Sequence, residues 1–341
     1  MNNVGILAIP ETAGSALYGM VDVLSATGSI WASLVRAEHR EQPFDVRIVS
    51  PEHRPFSCGH RIPVRPDHAI GDDFQPEIVI LPEIWLGPDE SMAGRYPGVS
   101  EWVCARHAEG AWVYAACSGA AMLAETGLLD GCDATSHWAY EDLFRRRYPE
   151  VRFRADRTLA FADPAGRVVT AGGMTSWHDL ALHIISRHAS PGEALRIAKV
   201  YLLKLHSEGQ LPYRALLRGH PHADAQVRAC QASMEARFKE PDALAVAVAE
   251  AGIPERTLKR RFRNATGTTP IDYLQNLRVE EAKRILETTR TPVEEIGALV
   301  GYEDASYFRR LFKRKTGITA GAYRRMFQAT PLRPWVRNSC G

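Results

Sequence analysis

The stretch AWVYAACSGAAMLAETGLLDG, residues 111–131, holds the residue best suited to chemistry. A run of strand-forming residues ends at Cys117, the small residues Ser118-Gly119 follow, and the next residues favour a helix. Enzymes often mount a nucleophile at such a strand-to-helix elbow, and the helix N-terminus would favour a thiolate or an anionic ligand. An unpaired cysteine without a base is a weak catalytic signal. We predict that Cys117 lines a pocket as a small apolar residue, while a redox-sensing role stays open.

Strand-like and helix-like runs alternate around this elbow through the first two hundred residues. Apolar strands are predicted in NVGILAIP, FDVRIVS, EIVILP and AWVYAAC, and helices follow the first, third and fourth. This order indicates an α/β fold with a flavodoxin-like parallel sheet sandwiched by helices. In such sheets the ligand crevice lies beyond the carboxyl ends of the strands. The predicted ligand-binding residues at that edge are Glu11, Glu83, Trp85, Cys117, Ser118, His137, Trp138, Ser176 and Trp177.

Three tryptophans on the predicted crevice side suggest what the crevice binds. Trp85, Trp138 and Trp177 all fall just after strands or at helix starts. With a carboxylate nearby, Glu11 or Glu83, aromatic walls suit a cationic ligand such as a quaternary amine. Core packing is the plain alternative, because large aromatic residues dominate protein cores.

Other groups that could do chemistry have structural explanations. Ser176 and Asp179 fit an S-x-x-D capping pattern before an apolar run. His178 and His183 lie five residues apart, off a single helix face. The six cysteines form neither a CxxC pair nor a metal-ligand spacing, and no run of about 18 apolar residues could span a membrane. We therefore predict no metal, no cofactor, no membrane partner and a reduced cytoplasmic location.

The last third of the chain contains a repeat at an offset of 50 residues. RTLKRRFRNATGTTPIDYL, from Arg256, matches SYFRRLFKRKTGITAGAYR, from Ser306. Each copy follows a short apolar helix that ends at a glycine, Gly252 or Gly301, so each unit is predicted to be a helix-turn-helix. One long helix is predicted between the units, because apolar residues recur there at helical spacing. These residues are Ile271, Leu274, Leu277, Ala282, Ile285 and Leu286.

The second helix of each unit places apolar residues on one stripe and basic residues on the other side. Basic side chains on the first turns of a helix suit the major groove, where Arg reads guanine and other cations neutralise phosphates. Two such helices on one rigid connector could enter successive major grooves, roughly 34 Å apart. The alternative is a helical bundle with solvated basic faces. The predicted DNA-binding residues are Arg256, Thr257, Lys259, Arg260, Arg263, Ser306, Tyr307, Arg309, Arg310 and Lys313.

The net charge of +2 hides an uneven distribution along the chain. Residues 1–227 carry 21 Lys and Arg against 27 Asp and Glu, whereas residues 228–341 carry 21 against 13. An acidic first part joined to a basic last third indicates that the last third meets a polyanion. This distribution favours the DNA-binding interpretation over the solvated bundle.

Four residues of linker type, Gly209, Pro212, Gly219 and Pro221, lie between the two parts. The predicted organisation is an α/β ligand-sensing domain, a linker, a DNA-binding domain of two helix-turn-helix motifs, and a C-terminal tail. Their predicted ranges are 1–204, 205–225, 226–330 and 331–341.

Specific stretches carry two family resemblances. Residues from about 228 to 327 resemble the DNA-binding domain of the AraC family of transcription regulators, through RTLKRRFRNATGTTPIDYL, LRVEEAKRILETT and VEEIGALVGYEDASYFRRLFKRKTGITAGAYR. The family usually has Pro where Ala320 lies, which would alter a helix start. The first part resembles the PfpI-like branch of the class I glutamine amidotransferase-like superfamily, and more closely its GlxA-type regulators. The stretches are ACSGAAMLAETGLLDGCDATSHW, TAGGMTSWHDLALHII and AKVYLLKLHSEGQLPY.

The resemblance implies that Cys117 has lost its catalytic partners. Hydrolytic relatives carry His directly after the cysteine, where this chain has Ser118. Relatives also carry a Glu on the first helix near the thiol, and the matching position here is Ala16. His137 could serve as a base, although such a residue is more often structural or in contact with a ligand. The expectation is therefore a sensor, not an enzyme.

Taken together, these observations predict a one-component transcription regulator that binds double-stranded DNA and a small-molecule effector. The resemblance also implies contact with RNA polymerase, activation of transcription, and a homodimer formed through the α/β domain. The alternative is a cysteine-dependent amidase or hydrolase with an appended nucleic-acid-binding domain.

Overall fold

The computed structural model of the chain describes residues 1–36, 41–87, 90–217 and 222–328. The predicted C-terminal tail, 331–341, lies outside the described residues. Within the described part, no helix is long and apolar enough to cross a membrane. The same residues contain no group of three or more His, Cys, Asp or Glu side chains placed to hold a metal ion.

The chain divides into two compact units, one comprising Met1–Gln210 and the other beginning at Leu211. The boundary between the units falls within the predicted linker, 205–225. His206 and Gln210 are hydrogen-bonded within the first unit, while Leu211–Tyr213 and Leu216 contact helices of the second. Pattern alone could not reveal this, because the contacts that bind the segment come from residues far away in sequence.

The first unit is built on a seven-stranded sheet in the order β10-β11-β7-β6-β1-β2-β5. Strands β2, β1, β6, β7 and β11 are parallel and follow the flavodoxin-like order 2-1-3-4-5. Strand β5 pairs parallel with β2, and β10 pairs antiparallel with β11. The described strands are β1 Asn2–Leu7, β2 Phe44–Ser50, β3 Phe56–Cys58, β4 Ile62–Val64, β5 His68–Ala69, β6 Ile78–Leu81, β7 Trp112–Ala116, β8 Asp133–Ala134, β9 Arg152–Phe153, β10 Leu159–Phe161 and β11 Val168–Ala171.

Helices cover both faces of this sheet. One face packs with α1, α6 and α7 into a core that includes Ile6, Met20 and Ile184. The other packs with α3, α4 and α5 around Leu81 and Phe144. The predicted flavodoxin-like α/β fold is confirmed. The described helices are α1 Gly14–Ser25, α2 Ile30–Val35, α3 Pro97–Ala108, α4 Gly119–Ala124, α5 Glu141–Arg147, α6 Trp177–His188 and α7 Pro191–Val200.

The strand order reverses at β1, which pairs with β2 on one side and β6 on the other. Parallel sheets open a crevice at such a switch point, outside the carboxyl ends of the strands. The segments that follow β1, β6 and β7 therefore meet at one edge, and the elbow at Cys117 lies on it.

The second unit is all-helical and has two small cores. One, around Leu258 and Phe262, joins α8, α9, α10 and the start of α11. The other, around Phe308 and Phe312, joins the rest of α11 with α12, α13 and α14. The predicted pair of helix-turn-helix units on one connecting helix is thus confirmed. The helices are α8 Ala225–Arg237, α9 Ala243–Glu250, α10 Glu255–Thr266, α11 Pro270–Thr288, α12 Val293–Leu299, α13 Ala305–Thr316 and α14 Ala320–Phe327.

The repeat extends to the helix caps. Gly267 and Gly317 end α10 and α13 in the left-handed conformation, with φ of 73° and 78°. Thr269 and Thr319 then cap α11 and α14 through their hydroxyls. Ala320 occupies the first position of α14 as Pro270 does in α11, so the missing proline leaves the helix start in place.

His188, at the end of α6, makes the first unit sensitive to acid. Its Nε2 lies 2.8 Å from the Tyr114 hydroxyl, and its ring meets the Trp112 ring edge to face. Burial first, and then the positive charge of Arg187, lower the pKa of His188 to about 4. An unfolded histidine takes up its proton near pH 6.5, so the unfolded state binds more protons and stability falls as the pH drops from there towards 4.

We therefore expect a His188→Gln variant, which keeps an acceptor for Tyr114, to lose less thermal stability between pH 7 and 4.5 than the native chain. Tryptophan fluorescence is a suitable signal, because six of the seven tryptophans lie in the first unit. The exposed His53→Gln variant is the control. An equal loss in all three proteins would contradict the assignment to His188.

Candidate functional site

The elbow at Cys117 is a strained turn between β7 and α4. Its φ is 52°, a left-handed conformation that is uncommon for a residue other than glycine. Hydrogen bonds hold it on both sides: the Cys117 N–H donates to the Ala171 carbonyl at 3.0 Å, and the Ser136 hydroxyl donates to the Cys117 carbonyl at 2.6 Å. Gly119 completes the turn, since a Cβ there would clash with the carbonyls of Leu81 and Pro82. The turn therefore has the geometry of a nucleophile elbow.

The thiol on this elbow is poorly suited to act as a nucleophile. Cys117 is 2% exposed. Burial, and next the nearby Glu83 carboxylate, raise the pKa of the thiol to about 12, and these outweigh the N–H groups of Met174 and Ser118 that favour the thiolate. Burial also raises the pKa of Glu83. The N–H groups at the helix start favour the thiolate, as the sequence predicts, but desolvation outweighs them.

Ser118, directly after the cysteine, has a structural role. Its hydroxyl donates to the Ile84 carbonyl at 2.5 Å and accepts from the Ile84 N–H at 2.9 Å. Ser118 is fully buried, so its hydroxyl binds the segment after β6 to the elbow. This hydroxyl is no general base, since it has no basic nitrogen.

The rim of the crevice joins Glu11 to Trp85. The Trp85 N–H donates to the Glu11 carbonyl at 2.6 Å, and the Glu11 carboxylate accepts from the Tyr96 hydroxyl at 2.6 Å. Arg95 lies 3.5 Å from the same carboxylate. Trp85 is 45% exposed and meets His60 edge to face at 4.8 Å between ring centroids. The structure thus brings the predicted residues Glu11, Glu83, Trp85, Cys117 and Ser118 together at one edge of the sheet.

His137 and Trp138 lie on the loop that follows β8. The His137 Nδ1 accepts from the Ala139 N–H at 3.1 Å, and its ring lies 4.8 Å from the Trp138 ring. A Cβ on Gly173 would clash with the His137 ring, so the two loops are in close contact. His137 caps a turn in this arrangement, which fits the structural interpretation of the residue.

The segment at Ser176 differs from its sequence-based prediction. Ser176 precedes α6 but makes no side-chain capping bond, and Asp179 instead accepts from both the N–H and the Nδ1 of His206, at 2.9 and 2.7 Å. The prediction that Asp179 is a helix cap is wrong, because a partner 27 residues away competes for the carboxylate. Trp177 packs its ring on Gly19 of α1, as the core-packing alternative predicts.

Three residues at this edge were not predicted from the sequence. The Ser136 hydroxyl supports the elbow, the Tyr140 hydroxyl donates to the Leu86 carbonyl at 2.5 Å, and Tyr96 donates to Glu11. Tyrosine hydroxyls in a crevice usually find such partners. No spacing in the sequence pointed to them, because each contact spans 19 residues or more.

The buried thiol leads to a prediction about alkylation. A thiol that is 2% exposed and has a pKa of about 12 holds far less thiolate than a free cysteine, whose pKa is about 8.5. We expect iodoacetamide at pH 8 to label the partly exposed Cys104 and Cys132 in the folded chain and to leave Cys117 unmodified, as peptide mass spectrometry would show. Urea-unfolded protein is the control, in which Cys117 should react. Rapid labelling of Cys117 in the folded chain would refute the inert assignment.

Helix α10 presents the first basic face. Leu258 and Phe262 are fully buried, and the predicted residues Arg256, Lys259, Arg260 and Arg263 are exposed on the other side, with Thr257 half-buried. Lys259 pairs with Glu255 one turn earlier. Arg261 has a different role, since its guanidinium binds both oxygens of Asp224 at 2.7 Å and so fastens α10 to the start of α8.

Helix α13 presents the second basic face in the same way. Phe308, Leu311 and Phe312 are buried, while Ser306, Arg309, Arg310 and Lys313 are exposed. Tyr307 is half-buried and accepts from Gln275 of α11 at 3.0 Å. The Asp304 carboxylate caps the helix through the N–H groups of Ser306 and Tyr307.

Several of these cations have no ion-pair partner among the described residues. Within the described residues, no ion pair or side-chain hydrogen bond engages Arg256, Arg260, Arg263, Arg310 or Lys313. Exposed cations that are not neutralised internally, repeated on two equivalent helices, create a surface that attracts a polyanion.

Two family models match successive parts of the chain. The DJ-1/PfpI family model matches residues 27–187, and a helix-turn-helix domain model matches residues 247–326. The first range contains the elbow and most of the sheet, and the second contains α10 to α13 in full.

Curated relatives are named as regulators. The chain is 27% identical to the HTH-type transcriptional regulator CdhR of Pseudomonas aeruginosa, over 64% of this chain and 64% of the relative. It is 28% identical to the HTH-type transcriptional regulator GlxA of Rhizobium meliloti, over 61% and 63%. The matched parts therefore span less than two thirds of these relatives. The HTH-type transcriptional regulator ArgR of Pseudomonas aeruginosa is 27% identical over 93% of this chain and 91% of the relative.

Among solved structures, a ThiJ/PfpI family protein from Pseudomonas syringae aligns with a TM-score of 0.48 and 19% identity, over 74% of this chain and 91% of that one. An AraC family transcriptional regulator from Pseudomonas putida aligns with a TM-score of 0.47 and 15% identity, over 59% and 100%. The family models and the named relatives confirm the resemblance seen in the sequence: this chain combines a DJ-1/PfpI domain with an AraC-type helix-turn-helix domain.

Proposed function

We propose that the chain is a transcription regulator that binds specific DNA sequences through α10 and α13 and responds to a small molecule bound by its α/β unit. The observation that carries the proposal is the repeat itself: two equivalent helices, each packed by apolar residues on one side, expose Arg and Lys on the other, most of them without an ion-pair partner in the described ranges. The named regulators that match the chain support it.

The two basic helices are suited to the major groove. An α-helix fits that groove, and Arg can donate two hydrogen bonds to guanine while other cations contact phosphate. Helix α11 contributes to both small cores and connects α10 to α12 and α13. We propose that the unit meets DNA with both helices, and that Arg256, Thr257, Lys259, Arg260 and Arg263 of α10 act together with their counterparts on α13. The counterparts are Ser306, Tyr307, Arg309, Arg310 and Lys313.

The elbow supports a sensor without catalytic activity. A hydrolase needs a thiolate or a base beside the thiol, whereas burial and Glu83 hold Cys117 protonated and Ser118 occupies the position of the expected histidine. We propose that the crevice around Glu11, Glu83 and Trp85 binds the effector, with Cys117 as part of the wall. His137, Trp138 and Ser176 are further proposed contacts of the effector. The Trp177 ring instead packs on Gly19 in the core.

Control of DNA binding by the effector follows from the thermodynamic linkage between the two binding equilibria. An effector changes DNA binding only by its difference in affinity between the DNA-competent state and the other state. We further propose that the chain acts as a homodimer in the cytoplasm, as two-fold dimers are the commonest assembly, and that it activates transcription through RNA polymerase.

Genomic capture tests the proposal. The full chain is mixed with sheared DNA from its source organism at about 150 mM salt, since phosphate contacts dominate below that, and the retained DNA is sequenced. Recovery of a few upstream regions that share repeated half-sites supports the proposal. Uniform retention, abolished by salt, would reject sequence-specific binding. The Arg284→Ala variant, which removes an exposed arginine of α11 paired with Glu281, is the control and should capture the same regions.

A further inference from the structure

The last residues of the first unit bind directly to the loops around the crevice. Gln210 is 5% exposed, and both the nitrogen and the oxygen of its side-chain amide are hydrogen-bonded. Its Nε2 donates to the Thr135 hydroxyl at 3.1 Å and to the carbonyls of Ser136 and Arg157, both at 2.9 Å. Its Oε1 accepts from the Gly173 N–H at 2.9 Å. One buried amide thus joins three loops that are distant in sequence.

Two of these loops support the elbow. The Ser136 hydroxyl donates to the Cys117 carbonyl, and the N–H of Met174, which follows Gly173, is directed at the Cys117 thiol. A change in the elbow or in its loops therefore changes the surroundings of Gln210. The amide has no spare N–H with which to absorb such a change, and buried polar groups are costly to leave unpaired.

The segment before Gln210 is equally constrained. His206 is bound by Asp179 of α6 through both its N–H and its ring, and its carbonyl accepts from the Thr158 hydroxyl at 2.7 Å. Gly209 has a φ of 71°, and a Cβ there would clash with the Asp156 carbonyl. We call residues His206–Gln210 the clamp segment. It is part of the first unit, although its composition resembled a linker.

The residues directly after the clamp segment belong to the second unit. Leu211–Tyr213 form one 3-10 turn that lies against α13. The Tyr213 ring packs on Phe327 at 5.3 Å, and the Arg214 carbonyl accepts from the Lys283 ammonium at 2.8 Å. Leu216 donates its N–H to Glu280 of α11 at 2.8 Å. Gln210, the last residue of the first unit, is thus followed directly by Leu211, the first residue of the turn against α13.

We propose that the clamp segment is the coupling element of the protein: Gln210 senses the loops around the Cys117 elbow and transmits their position through Leu211–Tyr213 to α13. This inference rests on the proposed function. A ligand that rearranges the loops at Ser136 or Gly173 would shift Gln210, and the next peptide unit would carry that shift to the turn on α13. Gln210 is in this account a positioning residue, which contacts neither DNA nor effector.

The test perturbs the elbow and asks whether α13 responds. Cys117→Gly relaxes the turn, because glycine adopts a positive φ without strain. An insertion of Gly-Gly-Ser between Gln210 and Leu211 lengthens the connection and leaves the contacts described within each unit in place. The probe is one DNA fragment recovered by genomic capture, and the dissociation constant is measured by fluorescence anisotropy for the full chain with either change, both or neither.

We expect Cys117→Gly alone to change the dissociation constant for the DNA fragment by about 5-fold or more, which is the lower bound of typical allosteric coupling. When the insertion is also present, Cys117→Gly should change this constant by less than ~2-fold. Gln210→Ala should uncouple the two sites in the same way, whereas Gln42→Ala, which removes an exposed amide of the same unit, should not. An equal response with and without the insertion, or no response in the uninserted chain, would overturn the coupling role. Failure of every version to bind the fragment would instead reject the proposed DNA-binding function.

Discussion

Replacing Arg260 and Arg310 by alanine together should weaken binding of the captured DNA by about 30-fold or more, since each base-reading arginine contributes about 1–3 kcal/mol and distant sites add. The two residues are equivalent positions of the repeat, both are exposed, and neither has an ion-pair partner within the described part of the chain. Their side chains stabilise no described contact, so folding should be unaffected. Fluorescence anisotropy and thermal unfolding of the same samples measure the two effects separately.

The sequence preference of the same double variant distinguishes base contacts from phosphate contacts. An arginine that reads guanine should relax specificity when removed, whereas one that contacts phosphate should weaken all DNA alike and lower the salt dependence. Arg284→Ala serves as the control, because it removes a cation from the same unit outside the two basic faces. Unchanged affinity in the Arg260→Ala/Arg310→Ala variant would show that these faces are solvated surfaces, the alternative weighed from the sequence.

The second large effect concerns stability. Phe308→Ala should lower the free energy of unfolding of the second unit by about 3–5 kcal/mol, because truncating a buried phenylalanine leaves a cavity. Phe308 is 1% exposed, packs on Phe312 and Tyr302, and lies against the α-carbon of Gly297 on α12. This contact holds the two helices of the second helix-turn-helix together, so the variant should lose DNA binding by unfolding.

Arg309, which follows Phe308 in the sequence, supplies the matched control. Arg309→Ala changes the exposed side of the same helix and should alter stability by less than about 0.5 kcal/mol. Urea unfolding followed by circular dichroism at 222 nm measures both variants. If Phe308→Ala were as stable as Arg309→Ala, the apolar stripe assigned to α13 would be misplaced.

Much of the fold was predictable because its signals are local. The repeat around Arg256 and Ser306, the apolar stripe of Leu258 and Phe262, and the alternation of strands with helices all follow from spacing within a few residues. The elbow at Cys117 was predictable for the same reason, since a strand, small residues and a helix follow in order.

Long-range partners were not predictable. Asp179 appeared to be a cap because its partner, His206, lies on a later segment. Ile271 was expected at helical spacing on the connecting helix but is 46% exposed. Arg278 and Lys283, which look like solvated cations, are buried and donate to the backbone carbonyls of Phe238 and Arg214. Composition cannot indicate which cation finds such an acceptor, because the acceptors belong to other elements.

The contacts of the crevice residues were likewise not predictable from the sequence. Periodicity placed Trp85 and Trp177 on the same edge of the sheet, but Trp85 is exposed beside Glu11 and Trp177 packs on α1. Ser118 and Glu83 were correctly placed near the elbow. Their effect on Cys117 depended on burial, which sets the direction of the pKa shift and requires the structure.

Hydroxyl-radical footprinting of one captured fragment tests the central claim, that two equivalent helices read DNA together. We predict two protected stretches roughly 34 Å apart along the duplex, one helical turn. Arg260→Ala should weaken protection mainly over one stretch, and Arg310→Ala mainly over the other. A single protected stretch that neither variant changes would contradict the account.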